Sequence, residues 1–195
     1  MKIFGLIALL ITSTILISCE SREDSIVTSI YSTKDSDNPS NLRFDVGIDL
    51  IDLDDIIITK TIDGSAGGAL NIDTILIDPN GNIVLVQADL IFEPNSFPGT
   101  QNITMSPDLS TGSIHFSPSM ILARPAELTL KFRGINLSQL GFDANAKVDF
   151  VFIANDGTIE NIEYEECKIK WAEQELKVKK AKLPHFSRYA FIKKN

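Results

Sequence analysis

The sequence predicts an antiparallel β-sandwich, preceded by a signal peptide and a flexible tether. Three observations carry that prediction. Beyond Leu42 the chain breaks into short apolar runs with period-two alternation, the pattern of a pleated, half-buried surface. Turn residues separate the runs; Pro79-Asn80-Gly81 and Asp156-Gly157 are hairpin signals that supply φ > 0. No window keeps a helical period beyond one turn near Leu137 to Phe142. About a dozen strands at this spacing fit a two-sheet sandwich, and 195 residues suffice for one domain of ordinary size.

The first segment, residues 1–18, reads as a lipoprotein signal peptide. Lys2 precedes an apolar run over residues 3–17. As a helix that run rises about 22 Å, short of the roughly 30 Å hydrocarbon core, so a permanent transmembrane helix is the weaker reading. The run ends Leu16-Ile17-Ser18-Cys19, which resembles the lipobox of bacterial lipoproteins. The resemblance implies that Cys19 receives a lipid, becomes the first mature residue and holds the chain to a membrane. The expected location is the cell envelope, at the outer membrane or cell surface of a Gram-negative bacterium. A plain signal peptide with a chance cysteine is the alternative. Each buried CH2 contributes about 0.8 kcal/mol, and stable anchoring takes more than one acyl chain.

Residues 19–41 form the lipidated cysteine and a polar tether. Their composition cannot bury enough apolar surface to offset ordering entropy. A random coil of about 22 residues reaches roughly 25 Å. The acidic group Glu20, Glu23 and Asp24 loosely resembles a surface-export signal, and equally suits a solvated tether. Ile26, Val27, Ile30 and Tyr31 interrupt the polar stretch as a candidate short strand.

The domain proper spans 42–195. Its strands are read at Phe44, Val46, Ile48 and Leu50; at Leu70, Ile72, Thr74 and Leu76; and along the nearly continuous run Ile83 to Phe92. Further on come Leu128 with Leu130, and Val148, Phe150 and Phe152. Late in the chain, Lys168-Ile169-Lys170-Trp171 and Lys177-Val178-Lys179 alternate ammonium with apolar side chains. That places lysines on one face, where they discourage edge-to-edge pairing; attraction to anionic lipid or polysaccharide is the alternative use. Trp171 is expected to be largely buried on this strand, beside Ile169.

Charge and composition bound the function. The formal net charge is -8, with 18 Lys+Arg against 26 Asp+Glu, which argues against nucleic-acid partners. Loss of Lys2 with the leader makes the mature chain one unit more acidic. The bases concentrate late: residues 168–195 hold 9 against 2 acids. Two Cys and two His leave no material for a disulfide scaffold or a Cys-rich zinc site. With Cys19 modified, Cys167 is the single thiol, expected to pack as a small apolar residue and to be kept unreactive by Glu165 and Glu166.

Several segments in order carry a family resemblance. Gly67-Gly68 precedes a strand. Phe92-Glu93-Pro94-Asn95-Ser96-Phe97-Pro98-Gly99 follows, then Ile103-Thr104-Met105. The stretch 114–132 opens Ile114-His115-Phe116-Ser117-Pro118, and Leu183-Pro184-His185-Phe186-Ser187-Arg188-Tyr189-Ala190-Phe191 closes the set. Over residues 67–191 the chain resembles the ZU-five domain of Unc-five netrin receptors and ankyrins, with their bacterial surface relatives. The resemblance implies a β-sandwich with an interaction role. In some eukaryotic members a terminal His-Phe-Ser triplet cuts itself, and the matching positions are His185, Phe186 and Ser187. Ser187 Oγ would attack the Phe186 carbonyl while His185 takes the proton, and water would resolve the ester. Against this, Phe186, Tyr189 and Phe191 would serve as core anchors, with His185 and Ser187 in a turn. His115-Phe116-Ser117 repeats the triplet away from the cleavage position.

Other chemistry is weaker. Asp49, Asp52, Asp54 and Asp55 could be paired carboxylates or calcium ligands, and Asp78, Asn80 and Asn82 echo the start of a calcium loop whose remainder is missing. Solvated faces and turns explain both. No phosphate-binding glycine loop, Gly-flanked serine or His-Glu metal helix occurs. The sequence reading is a lipid-anchored, cell-envelope module with a non-catalytic structural, adhesive or partner-binding role, needing no cofactor or metal. Its contacts are the membrane, through Cys19, and a protein or glycan. A self-processing domain is the rival. A glycan-binding module ranks third, because one Trp and three Tyr offer few stacking platforms.

Overall fold

A computed structural model describes residues 56–78, 81–154 and 156–194. The expectations for Cys19, for the tether, for the strand at 44–50 and for Asp49, Asp52, Asp54, Asp55 and Asn80 lie outside those residues. In chain order the strands are β1 (Ile58–Asp63), β2 (Gly68–Ile77), β3 (Ile83–Phe92), β4 (Thr100–Asp108), β5 (Ser113–Ser117) and β6 (Ile121–Arg133). They continue with β7 (Lys147–Ile153), β8 (Ile159–Asn161), β9 (Glu166–Lys170), β10 (Glu175–His185) and β11 (Arg188–Lys194). One sheet has the order β1-β4-β5-β11-β7-β8, the other β2-β3-β6-β10-β9, and every pairing is antiparallel. Their inner faces meet in one hydrophobic core, so the sequence's fold class is the observed one.

Period-two burial marks the long strands β2, β3 and β6 most clearly. Along β2, Leu70, Ile72 and Leu76 face inward, while Asn71 and Asp73 face out and bond Asp89 and Gln87 of β3 at 2.6 and 3.0 Å. The nearly continuous apolar run at 83–92 resolves into a one-sided strand. Val84, Val86, Ala88, Leu90 and Phe92 are buried, whereas Ile83 and Ile91 point to solvent. In β10 the inward set shifts from Leu176 and Val178 to Ala181 and Leu183, an odd step. A bulge absorbs it: the pairing register slips between Val178 and Ala181, and Lys180 adopts φ 53.

The turns follow their local chemistry. Asp78 and Asn82 close the β2–β3 hairpin through backbone and side-chain bonds, with Gly81 at φ 83. Gly67 turns the chain into β2 at φ 76, where a Cβ would stand 2.5 Å from the Phe92 carbonyl oxygen. Leu137 to Phe142 makes the single expected turn, closed by Phe142 N donating to the Leu137 carbonyl.

Trp171 departs from expectation. Strand β9 ends at Lys170, and Trp171 begins a short 3-10 turn, Trp171–Glu173, in which no residue is fully buried. Lys170 pairs with Glu175, so the chain must reverse within four residues and Trp171 cannot continue the strand. Gln174, at φ 48, closes the reversal by donating from its backbone and side chain to the Trp171 carbonyl. The apolar spacing of Ile169 and Trp171 imitated a strand that the turn interrupts.

The late lysines are mostly neutralised in place. Lys168 and Lys177 contact Glu166, Lys179 and Lys180 contact Glu165, and Lys170 contacts Glu173 and Glu175. Lys182 meets Glu127, Lys193 meets Asp143, and Lys194 meets Asp149. A segment that is basic in sequence is therefore laced with acids in space. Of its three lysine-bearing strands, β9 is a sheet edge, while β10 and β11 are internal.

Candidate functional site at the sheet-crossing corner

Strands β10 and β11 belong to different sheets, so Phe186 and Ser187 carry the chain across the sandwich. Phe186 is 1% exposed and fills the core between two rings. It stacks on Phe116 at 5.1 Å and meets Phe92 edge-on at 5.6 Å. Its backbone N donates to the Met120 carbonyl at 2.8 Å. The Ser187 carbonyl accepts from Phe116 N at 2.8 Å. The corner is thus fixed by backbone bonds on both sides of a buried aromatic plug.

Tyr189, fully buried, locks it further. Its hydroxyl donates to the His185 carbonyl at 2.5 Å and lies 3.4 Å from Nδ1 of the same residue. Burial pushes the phenol well above its usual range, so it remains a donor. A tyrosine near the start of a strand that bonds back to the preceding corner is a recurrent brace in β-sandwiches. The His185 ring packs edge-on against Phe152 at 4.1 Å, and its Nε2 is 3.8 Å from a Glu160 carboxylate oxygen.

These contacts show what each member of the triplet does. Phe186 is a core residue, as the sequence expected of an anchor, and so are Tyr189 and Phe191. His185 and Ser187 flank the crossing. Neither ring nitrogen of His185 is hydrogen-bonded to Ser187; they face Tyr189 and Glu160 instead. A cleft of ≈ 430 Å³ overlies the corner, lined by Met120, Ile121, Phe152, His185 and Ser187 among others. Ile121 stands at its rim, 86% exposed.

The second triplet proves to be the first one's neighbour. His115-Phe116-Ser117 lies on β5, directly beside β11, with His115 opposite Arg188 and Phe116 stacked on Phe186. Burial, and then the Arg188 charge, lowers the His115 pKa. The sequence shows two copies of one motif but not that their phenylalanines share a stack.

No family model, curated protein or solved structure matches the chain.

The remaining candidates have ordinary local roles. Asp78 accepts from both the backbone and the side-chain amide of Asn82, at 2.7 and 2.8 Å, which commits its carboxylate to the hairpin. Among the described residues no group of three His, Cys, Asp or Glu is placed to hold a metal ion. Among them, too, no helix is long and apolar enough to cross a membrane. Cys167 packs against the core, and its thiol is pushed up to about 12 by burial first and Asp149 second. Its protonation was expected from Glu165 and Glu166. Burial is the larger cause, and Glu166 contributes least of those acting on it.

One polar cluster had no sequence signal. The Tyr164 hydroxyl donates to Asp149 at 2.6 Å, and Lys194 approaches the same carboxylate at 3.2 Å. Burial alone would raise the Asp149 carboxyl, but the bonds from Tyr164 and Lys194 outweigh it and hold the group below its usual value. The same bond, with burial, pushes the Tyr164 phenol up to about 12. These residues come from β7, the β8–β9 connection and β11, and spacing along the chain cannot bring them together.

Proposed function

We propose that the chain is a lipid-anchored module of the bacterial cell envelope, ZU-five-like in its domain, with a non-catalytic structural, adhesive or partner-binding role. The observation that carries the non-catalytic part is the engagement of the triplet. Phe186 is a core plug, and the His185 ring faces Glu160 and Tyr189 rather than Ser187. An acyl shift needs Ser187 Oγ deprotonated by a base within hydrogen-bond reach. The anchoring part is supported by Leu16-Ile17-Ser18-Cys19 after a short apolar run. Neutralisation of the late lysines favours a protein partner over a polyanionic glycan.

The test is the intact mass of the purified chain in denaturant, beside Ser187→Ala. Full-length protein in both supports the reading. A wild-type chain ending at Phe186, with the variant uncut, promotes the self-processing reading in its place.

A further inference from the structure

Four sheet edges exist among the described residues, and three carry a guard against strand addition. Strand β8 is only three residues long. Strand β9 bears Lys168 and Lys170. Strand β1 sets Lys60 opposite Ile103, which is fully buried, so a charge occupies an inward position of that edge. Strand β2 has none of these devices. It runs ten residues, Gly68–Ile77, with no proline and no basic residue, and its outward face shows Ile75 at 67% exposure.

The edge is also complementary to itself. Directly opposed residues of an antiparallel pair point to the same side, so pairing two copies of β2 must match inward with inward residues. A two-fold axis at Asp73 would set carboxylate against carboxylate. An axis at Ile72 removes that conflict. It sets Asn71 opposite Asp73 of the second copy, twice by symmetry, and small Ala69 opposite exposed Ile75. Asp73 already accepts from Gln87 through Oδ1, which leaves Oδ2 for the incoming amide.

We propose that β2 pairs antiparallel with β2 of a second copy about an axis at Ile72, joining two five-stranded sheets into one of ten strands. An interface of about ten residues a side is smaller than the roughly 20–30 of a standard stable complex, so the dimer is weak and concentration-dependent. Such a contact is isologous and closes on itself, without forming filaments.

The test uses the chain from Cys19 onward carrying Cys19→Ser. Sedimentation across a wide concentration range should show a monomer–dimer equilibrium, with β2 amides gaining hydrogen-exchange protection as dimer forms. Ile75→Lys, at an exposed position, should leave the monomer folded and abolish the dimer. Asp73→Ala removes both cross-copy bonds to Asn71 and, within its own chain, only the exposed bond from Gln87, so it should weaken the dimer and leave the monomer folded. A monomer at every concentration overturns the proposal, as does a dimer indifferent to these variants. β2 amides protected equally at all concentrations would mean that another segment of the same chain covers the edge, and would overturn it too.

Discussion

The Tyr189 hydroxyl donates to the carbonyl of His185, four residues earlier, across the point where the chain leaves one sheet for the other. Tyr189 is fully buried, so its hydroxyl cannot exchange this bond for a solvent one without cost. It explains why a tyrosine rather than a phenylalanine stands in an otherwise aromatic and aliphatic core.

Tyr189→Phe removes the donor and keeps the ring. The expected loss is about 0.5–1.5 kcal/mol, the net contribution of an ordinary intramolecular hydrogen bond. Phe186→Ala, which empties the stack with Phe116 and Phe92, should cost about 3–5 kcal/mol. Urea titration would measure both. A larger loss for Tyr189→Phe than for Phe186→Ala would mean that the hydroxyl, not the plug, dominates the corner.

Cys19→Ala should abolish incorporation of labelled fatty acid and move the protein from the membrane to a soluble fraction. Equal membrane retention of the variant would remove the basis for lipid anchoring.

Asp149→Asn tests the Tyr164 cluster. With the carboxylate gone, the Tyr164 phenol should titrate below its present value of about 12, towards the ordinary 10.0. Ultraviolet titration of tyrosinate reads this directly. The acid side has a defined sign. The Asp149 carboxyl is held below its unfolded value, near 3.8, so its contribution is complete above that pH and is lost as pH falls towards the folded value. The wild type should therefore lose more stability than Asp149→Asn through that window. Identical acid profiles would mean that the cluster contributes nothing.

The sandwich was legible because alternation is a one-dimensional record of a two-sided surface. Leu70, Ile72 and Leu76, or Phe150 and Phe152, carry their burial in their spacing. Hairpin turns were legible for a similar reason, since Asp78 and Gly81 act on their own neighbours. Trp171 was misread because a reversal of four residues keeps an apolar residue in register with the strand before it. The corner's anchors, Phe186 and Tyr189, were visible, but their partners were not. Glu160, Phe152 and Phe116 reach His185 and Phe186 from strands distant in sequence, and single-chain spacing holds no trace of such meetings.

Strand β11 follows every other strand in the chain, yet it lies between β5 and β7, inside the six-stranded sheet. Until residues 188–194 are in place, β5 and β7 each lack a neighbour and that sheet is two fragments. Closing it joins Arg188 to His115 and Lys194 to Lys147, separations that demand a large loss of chain freedom before any contact rewards it. Folding is therefore expected to be slow and late-committing, in the millisecond-to-second regime of non-local β proteins. A chain that cannot complete its sheet early leaves the facing edges of β5 and β7 open until its last strand arrives.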